Sequence, residues 1–301
     1  CIVGTFIGML PGLGPMSIIA IMIPVAISLG DPAAALILLA GVYYGAIFGG
    51  STSSILINAP GVASTVATSF DGYPMTRQGK AGKALTVAAI SSFAGGTIGA
   101  ILLLFFAPAL ASVALLFHSS EYFALMVVGL SAIAAFAGSG QVFKALLMTI
   151  AGLVLATIGE GAQFNMPRFT MGIMDLQSGI GFITLAMAMF AIPETLFLVL
   201  DPARSGKASD KQSEISNLRI TKQEARKITP VIGRQSLQGF LIGVMPGAGA
   251  TIASFLGYAV ERNIAPKEER DEFGKGSVKG LAAPESAVSY THLRAHETSL
   301  H

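Results

Sequence analysis

Long apolar stretches with almost no charge inside them leave this chain few ways to fold. Residues 2–30, 33–48, 84–106, 121–137, 142–159, 178–200 and 230–260 are predominantly apolar. Several of these runs are near the roughly 20 residues that a helix needs to cross the ~30 Å hydrocarbon core of a bilayer. Only 12% of the residues are Asp, Glu, Lys or Arg, about half the usual share for a soluble domain, so a water-facing surface for 301 residues cannot be assembled from them. In lipid every backbone N–H and C=O needs an internal partner. The expected fold class is therefore all-α: a polytopic transmembrane helical protein. A net charge of +2 is too small to imply a nucleic-acid partner, and a single cysteine, Cys1, excludes an internal disulfide and a cysteine metal site.

Charge divides the chain further. The first cluster lies in the loop 71–83, with Arg77, Lys80 and Lys83, and the next in a polar connector, 201–229, with Arg204, Lys207, Lys211, Arg219, Lys222, Arg226 and Lys227. Four spans separate the two clusters, an even number, so both fall on the cytoplasmic side under the positive-inside rule. The outer links, 107–120 and 160–177, carry one Lys or Arg, Arg168. The parts are then a first binding segment, 1–83; scaffold helices, 84–200; the connector, 201–229; and the start of a second segment, 230–287. Residues 288–301 break the composition abruptly and hold three of the four histidines; they are expected to be a non-native tail and are set aside.

An internal repeat sits at the two ends. Ile7-Gly8-Met9-Leu10-Pro11-Gly12-Leu13-Gly14 matches Ile242-Gly243-Val244-Met245-Pro246-Gly247-Ala248-Gly249. Around the second copy the apolar arms are about ten residues, or ~15 Å of helix, which fits a re-entrant hairpin with its tip near mid-membrane. The loop count starts the first copy outside and the second inside, an inverted repeat of the kind on which many secondary transporters are built. A Pro-Gly-x-Gly interruption frees main-chain groups that protein, water or solute must satisfy. Freed helix N-termini favour an anion, while carbonyls and hydroxyls are hard oxygen ligands suited to a small cation such as sodium. Before Phe70 the only charged side chain is Asp31, so an anion here is held by dipoles and neutral donors. Ser51, Thr52, Ser53, Ser54 and Asn58 supply such donors beside a break expected at Gly49-Gly50.

Plainer readings compete. A Pro-Gly pair can be a mere kink, and Ser and Thr often serve as helix-packing contacts. Gly95 and Gly99 have the spacing of a packing motif. Glu160 and Glu194 are possible proton carriers, with interfacial or packing roles as the alternative. Gly274-Lys275-Gly276-Ser277 lacks the spacing of a phosphate loop and reads as a flexible polar turn. No nucleophile–base pair is visible, since His118 is the only histidine outside the tail; an enzyme is not expected.

Several motifs in one order carry a family likeness: Gly8-Met9-Leu10-Pro11-Gly12-Leu13-Gly14-Pro15, Tyr43-Tyr44-Gly45-Ala46-Ile47-Phe48-Gly49-Gly50-Ser51, Ile57-Asn58-Ala59-Pro60-Gly61, Asp71-Gly72-Tyr73-Pro74-Met75, Arg168-Phe169-Thr170-Met171-Gly172, Leu237-Gln238-Gly239 and Ala283-Pro284-Glu285. Together they resemble TctA, the large membrane subunit of tripartite tricarboxylate transporters. The resemblance implies uptake of tricarboxylates or other small carboxylates across the bacterial inner membrane by a multi-pass protein, driven by a cation gradient (sodium or proton) and needing no other cofactor. It implies two protein partners, a periplasmic solute-binding protein and a small membrane subunit. Carried over by motif, it implies site residues Pro11, Gly12 and Gly14; Ser51, Thr52, Ser53 and Ser54 with Asn58, Pro60 and Gly61; and Pro246, Gly247 and Gly249. A passive anion channel is the alternative. The likeness runs to about Ala287; family members continue with a second binding segment, so the chain is expected to be truncated at both ends. Glu160 stands where an Asp is expected.

Single cysteines placed at Lys80 and Lys211 in a Cys1→Ser background should both react with an impermeant thiol reagent from the cytoplasmic face. Labelling from opposite faces would remove the inversion.

Overall fold

The computed structural model describes residues 1–10, 15–115, 142–161, 166–181, 218–243 and 249–294, with scattered positions within 120–127 and 184–200. It forms two units, Cys1–Leu116 with Ala186–His301, and Phe117–Leu185. The first unit holds α1 (Ile2–Gly8), α2 (Pro15–Ser28), α3 (Pro32–Ile57), α4 (Val66–Arg77) and α5 (Ala81–Leu115). The second unit holds α6 (Val142–Ala156) and a short antiparallel ribbon of β1 (Gly159–Glu160) and β2 (Pro167–Arg168). The first unit resumes with α7 (Lys222–Gly243), α8 (Gly249–Ile264) and α9 (Val278–Arg294). The expected spans 121–137 and 178–200 fall mostly outside the described residues, as does 201–217 of the connector.

Local chemistry sets the helix limits. The Asp31 carboxylate accepts from the N–H groups of Ala33 (3.1 Å) and Ala34 (3.3 Å), and Pro32 takes the first helical position, so α3 starts there. The helix ends at Asn58, which adopts the left-handed conformation (φ 54°, ψ 30°) that Asn tolerates better than most side chains, two residues before Pro60. The break expected at Gly49-Gly50 is therefore corrected: α3 runs unbroken through both glycines, and the interruption lies after Ile57. The charged loop expected at 71–83 is mostly helix, since α4 extends to Arg77 and α5 begins at Ala81.

The second hairpin is also longer than its apolar arms. A reciprocal cap opens α7: the Thr221 N–H donates to Glu224 (2.9 Å), and the Glu224 N–H to the Thr221 hydroxyl (3.3 Å). The helix thus starts in polar sequence and runs 22 residues, with 16 in α8. The two arms pack against each other, and Arg234 of α7 grips Glu261 of α8 through two hydrogen bonds of 2.7 and 2.6 Å.

Each hairpin lies on the helix that follows it: α1 and α2 on α3, α7 and α8 on α9. Glycine permits the first contact. A Cβ at Gly4 or Gly8 would strike the carbonyl of Val42 or Ala46, and one at Gly45 or Gly49 the carbonyl of Cys1 or Thr5. Backbones this close gain dispersion contacts that apolar side chains cannot gain against lipid. Gly239 meets the Ala287 carbonyl of α9 in the same way, and Gly95 of α5 the Ser286 carbonyl, in line with its packing reading. Helix α9 is the hub, packed on α7, α5, α8 and α4, with every residue from 281 to 289 buried. Ile55, Met75, Val87, Val231 and Leu281 close the core around it.

Both α3 and the stretch Ala81–Phe106 of α5 are long and apolar enough to cross a membrane. Only 33% and 39% of their apolar windows are buried, where the core helix of a soluble protein would be covered. On α5, Phe93, Leu104 and Phe105 are 74%, 79% and 73% exposed, a surface that suits hydrocarbon and not water.

Partial burial pushes the Glu224 carboxyl up, but the Lys83 ammonium at 2.7 Å and the Thr221 N–H and hydroxyl outweigh it and hold the group down at about 2, against an ordinary 4.5. As pH falls the unfolded chain takes up this proton first, so the contribution is full well above pH 4.5 and is lost on the way down toward 2. Glu224→Gln should flatten that part of the acid melting profile, and Glu224→Ala should cost about 1 kcal/mol at neutral pH through loss of the cap, both read by thermal melting in lipid nanodiscs.

Candidate functional site

The four hydroxyl residues expected to hold solute lie on the last turns of α3, all buried. Three are engaged with backbone carbonyls: Thr52 donates to Phe48 (2.9 Å), Ser53 to Gly50 (2.9 Å), and Ser54 lies 2.8 Å from the same Gly50 oxygen. Such back-bonding satisfies a hydroxyl in lipid without any ligand. Ser51 differs, because its hydroxyl bonds the Glu285 carboxylate of α9.

The loop 58–65 is the meeting point. Its Pro60 and Gly61 are buried. Gly61 sits against the Cα of Gly50 and the carbonyl of Gly8, while Gly49 faces Gly8 and Met9. The N-terminal flank of the first interruption thus rests on α3 and this loop. The same loop reaches the second hairpin: the Ser254 hydroxyl of α8 donates to the Ser64 carbonyl (2.6 Å), and the neighbouring Thr65 hydroxyl lies 3.0 Å from that of Ser54. Gly249, buried, begins α8. Pro11, Gly12, Gly14, Pro246 and Gly247 lie outside the described residues. What the structure brings together is the flank of one interruption, the Ser51–Ser54 turn, the Asn58–Gly61 joint and the helix that leaves the other interruption.

A second junction ties the two halves near the basic end. The carboxylate of Asp71, fully buried on α4, accepts from the N–H groups of Gly274 (2.9 Å), Gly276 (2.8 Å) and Ser277 (2.7 Å) through one oxygen, with a further bond from Tyr258. Gly274 and Gly276 take positive φ (80° and 109°), which lets successive N–H groups converge on one anion. The segment read as a flexible polar turn is thus an anion nest whose occupant is the chain's own carboxylate. Phe70, Tyr258 and Phe273 stack edge to face around it. Nearby, the ammonium groups of Lys279 (2.6 Å) and Lys227 (3.1 Å) hold the Glu269 carboxyl below its usual range.

The feature that sequence reasoning missed is Glu285. Its carboxylate is 4% exposed and accepts from Thr68 of α4 at 2.6 Å, Ser92 of α5 at 2.6 Å, and Ser51. Three helices, α3, α4 and α5, contribute one neutral cage around a carboxylate carried by α9. Its only sequence signal was the Ala283-Pro284-Glu285 motif: an acidic residue between small residues, and the one charged residue between Lys279 and Arg294. Of the proposed proton carriers, Glu160 is exposed on β1, and Glu194 lies outside the described residues.

Comparison with known proteins gives a consistent picture. The family description "Tripartite tricarboxylate transporter TctA family" matches residues 1–294. An Agrobacterium vitis protein, described as an uncharacterized 52.8 kDa protein in the TAR-I ttuC' 3' region, is 43% identical over 286 residues, 95% of this chain and 56% of that protein. A second A. vitis protein, from the TAR-II ttuC' 3' region, is 49% identical over 49 residues, 16% of this chain and 19% of its own. The chain thus spans little more than half of the first relative. No solved structure matches.

Removing the Asp71 carboxylate strands three N–H groups, that of Ser277 fully buried and those of Gly274 and Gly276 partly so. Asp71→Ala should lower stability by about 2–3 kcal/mol and Asp71→Asn by less, since an amide oxygen still accepts. Equal melting temperatures for Asp71→Ala and wild type would show the nest to be dispensable.

Proposed function

We propose a function that proceeds from kinship: the chain belongs to the tripartite tricarboxylate transporter TctA family, and it carries small carboxylates, tricarboxylates among them, across the bacterial inner membrane. The family is one of transporters, not enzymes. The rest is our reading of this member. It is a multi-pass protein in which two hairpins of opposite orientation face a shared polar centre. A periplasmic binding protein delivers the carboxylate, a small membrane subunit completes the complex, and a sodium or proton gradient drives uptake.

The single observation that carries this reading is the loop 58–65. It touches the end of α1 through Gly61 and Gly8 and the second hairpin through Ser64 and Ser254. Two hairpins that meet at one hydroxyl-rich joint offer neutral donors and helix ends where an anion can be held without a buried Arg. Ser51 to Ser54 lead into that joint and Asn58, Pro60 and Gly61 belong to it; Gly249 begins α8, and Pro11, Gly12, Gly14, Pro246 and Gly247 stand in the sequence between the paired helices. Alternating access follows if one hairpin moves past the scaffold and exposes the joint to each side in turn. A passive anion channel built from the same parts needs neither a cation gradient nor a binding protein.

In proteoliposomes carrying a full-length homologue with its binding protein and small subunit, radiolabelled citrate should accumulate only under an inward sodium or proton gradient. Val at the positions of Gly12 or Gly247 should reduce uptake at least about tenfold without loss of membrane insertion. Gradient-independent flux that persists without the binding protein would favour the channel, and undiminished uptake by both variants would remove the interruptions from the site.

A further inference from the structure

We propose that Glu285, with the hydroxyls of Ser51, Thr68 and Ser92, is the seat of the coupling cation, a site for one monovalent positive charge. The inference rests on the carrier reading above and adds to it the residue through which the cation acts.

Depth comes first. Ser92 lies eleven residues beyond Ala81, the start of α5, or about 17 Å of helix, roughly half of the ~30 Å hydrocarbon core. Its hydroxyl is 2.6 Å from Glu285 Oε2, so the carboxylate sits near mid-membrane. A bare charge there costs several kcal/mol, and a chain keeps one only where it is neutralised or used.

Nothing cationic from the protein does this among the described residues. The charged groups on the helices packed against α9 are engaged elsewhere or turned to solvent: Lys222 and Arg226 of α7 are exposed, and Arg77 of α4 lies over the Tyr73 ring. On α5, Lys83 pairs with Glu224; on α7, Arg234 pairs with Glu261 of α8, and Lys227 with Glu269. On α4, Asp71 is held by the nest at Gly274–Ser277. From α3, Tyr44 comes near Glu285 as a neutral phenol that donates to the Ser92 carbonyl (2.8 Å). The groups touching the carboxylate oxygens are hydroxyls.

Hydroxyls make the cage two-faced. With the carboxylate bare, Ser51, Thr68 and Ser92 donate to it. Each can rotate and present a lone pair instead. Three hydroxyl oxygens and a carboxylate oxygen are the hard donors that a small alkali cation takes; a proton placed on the carboxyl itself neutralises the same charge. Either carrier turns a costly mid-membrane charge into a neutral unit. Ser51 and Thr68 flank the 58–65 joint, on the end of α3 and the start of α4, so the charge state of Glu285 bears directly on the elements that frame the solute position. Filling the site locks those elements to α9 and emptying it loosens them, which links cation and carboxylate.

The test uses purified chain in nanodiscs, melted in NaCl and in choline chloride of equal ionic strength, at alkaline and mildly acidic pH. Sodium binding should raise the wild-type melting temperature by ~2–4 °C at saturating salt, and E285Q should lose that response. If the carrier is a proton, sodium does nothing, acidification stabilises wild type, and E285Q is flat. Should E285Q fail to fold, S92A and T68A keep the carboxylate and should move the midpoint of whichever response is seen by about tenfold in cation concentration. Wild type and variants that respond alike, or a wild type indifferent to both cations, overturn the site. In the uptake assay the two ideas separate. Wild-type uptake indifferent to both gradients defeats the carrier reading; cation-dependent uptake that survives Gln at the Glu285 position defeats the site alone.

Discussion

Helices immersed in hydrocarbon gain nothing by hiding apolar side chains from lipid, so close backbone approach must hold them together. In this chain that approach is written in glycine. Gly4 and Gly8 on α1 and Gly45 and Gly49 on α3 form two interlocked pairs, each placing one backbone against the carbonyls of the other. Gly239 and Gly95 do the same for α7 and α5 against α9. A methyl at any of these positions forces the helices apart, and everything downstream rests on their spacing.

The second consequence of a lipid solvent is that every polar group inside must have a partner. Thr52, Ser53 and Ser54 meet that demand within their own helix, by bonding carbonyls three or four residues back. Asp71 meets it through three N–H groups of a glycine-rich turn far along the chain. Among the described residues the Glu285 carboxylate is answered by neutral hydroxyls and by no cation. Buried polar atoms such as Asp71 Oδ2 and Gln235 Oε1 have no hydrogen-bond partner there, but Glu285 is the buried carboxylate held by hydroxyls alone.

Architecture and function meet in the 58–65 joint. A helix that ended at the membrane surface would put Asn58 to Gly61 in water. Here Ser51 to Ile55 on the last turns of α3 are buried, Gly61 rests on Gly50 and Gly8, and the loop leads straight to Ser64 and the second hairpin. An interruption inside the protein is tolerated where other chain segments satisfy its freed groups, and here the 58–65 loop is covered by α1 and α8.

Much of this was legible in the residues. The apolar runs and scarce charge imposed a helical membrane protein, the Pro-Gly repeat marked the hairpins, and the order of motifs identified the family. Those properties are local: run length, turn chemistry and composition act within a few residues and need no knowledge of what lies opposite. The sequence misled where a contact decided the outcome. Gly49-Gly50 reads as a break, yet it is a packing surface, because a glycine pair breaks a helix only when no neighbour presses against it. Gly274 to Ser277 reads as a loose turn until Asp71, some two hundred residues away, fills it. Glu285 shows in the sequence only as the end of an Ala-Pro-Glu motif, since a carboxylate becomes a site through the groups around it, and Ser51, Thr68 and Ser92 reach it from three other helices. The sequence by itself determined the solvent and the helical class; tertiary structure alone decided where several helices end and which polar atoms are spent on one another, because that depends on distances across the bundle that spacing along a chain does not encode.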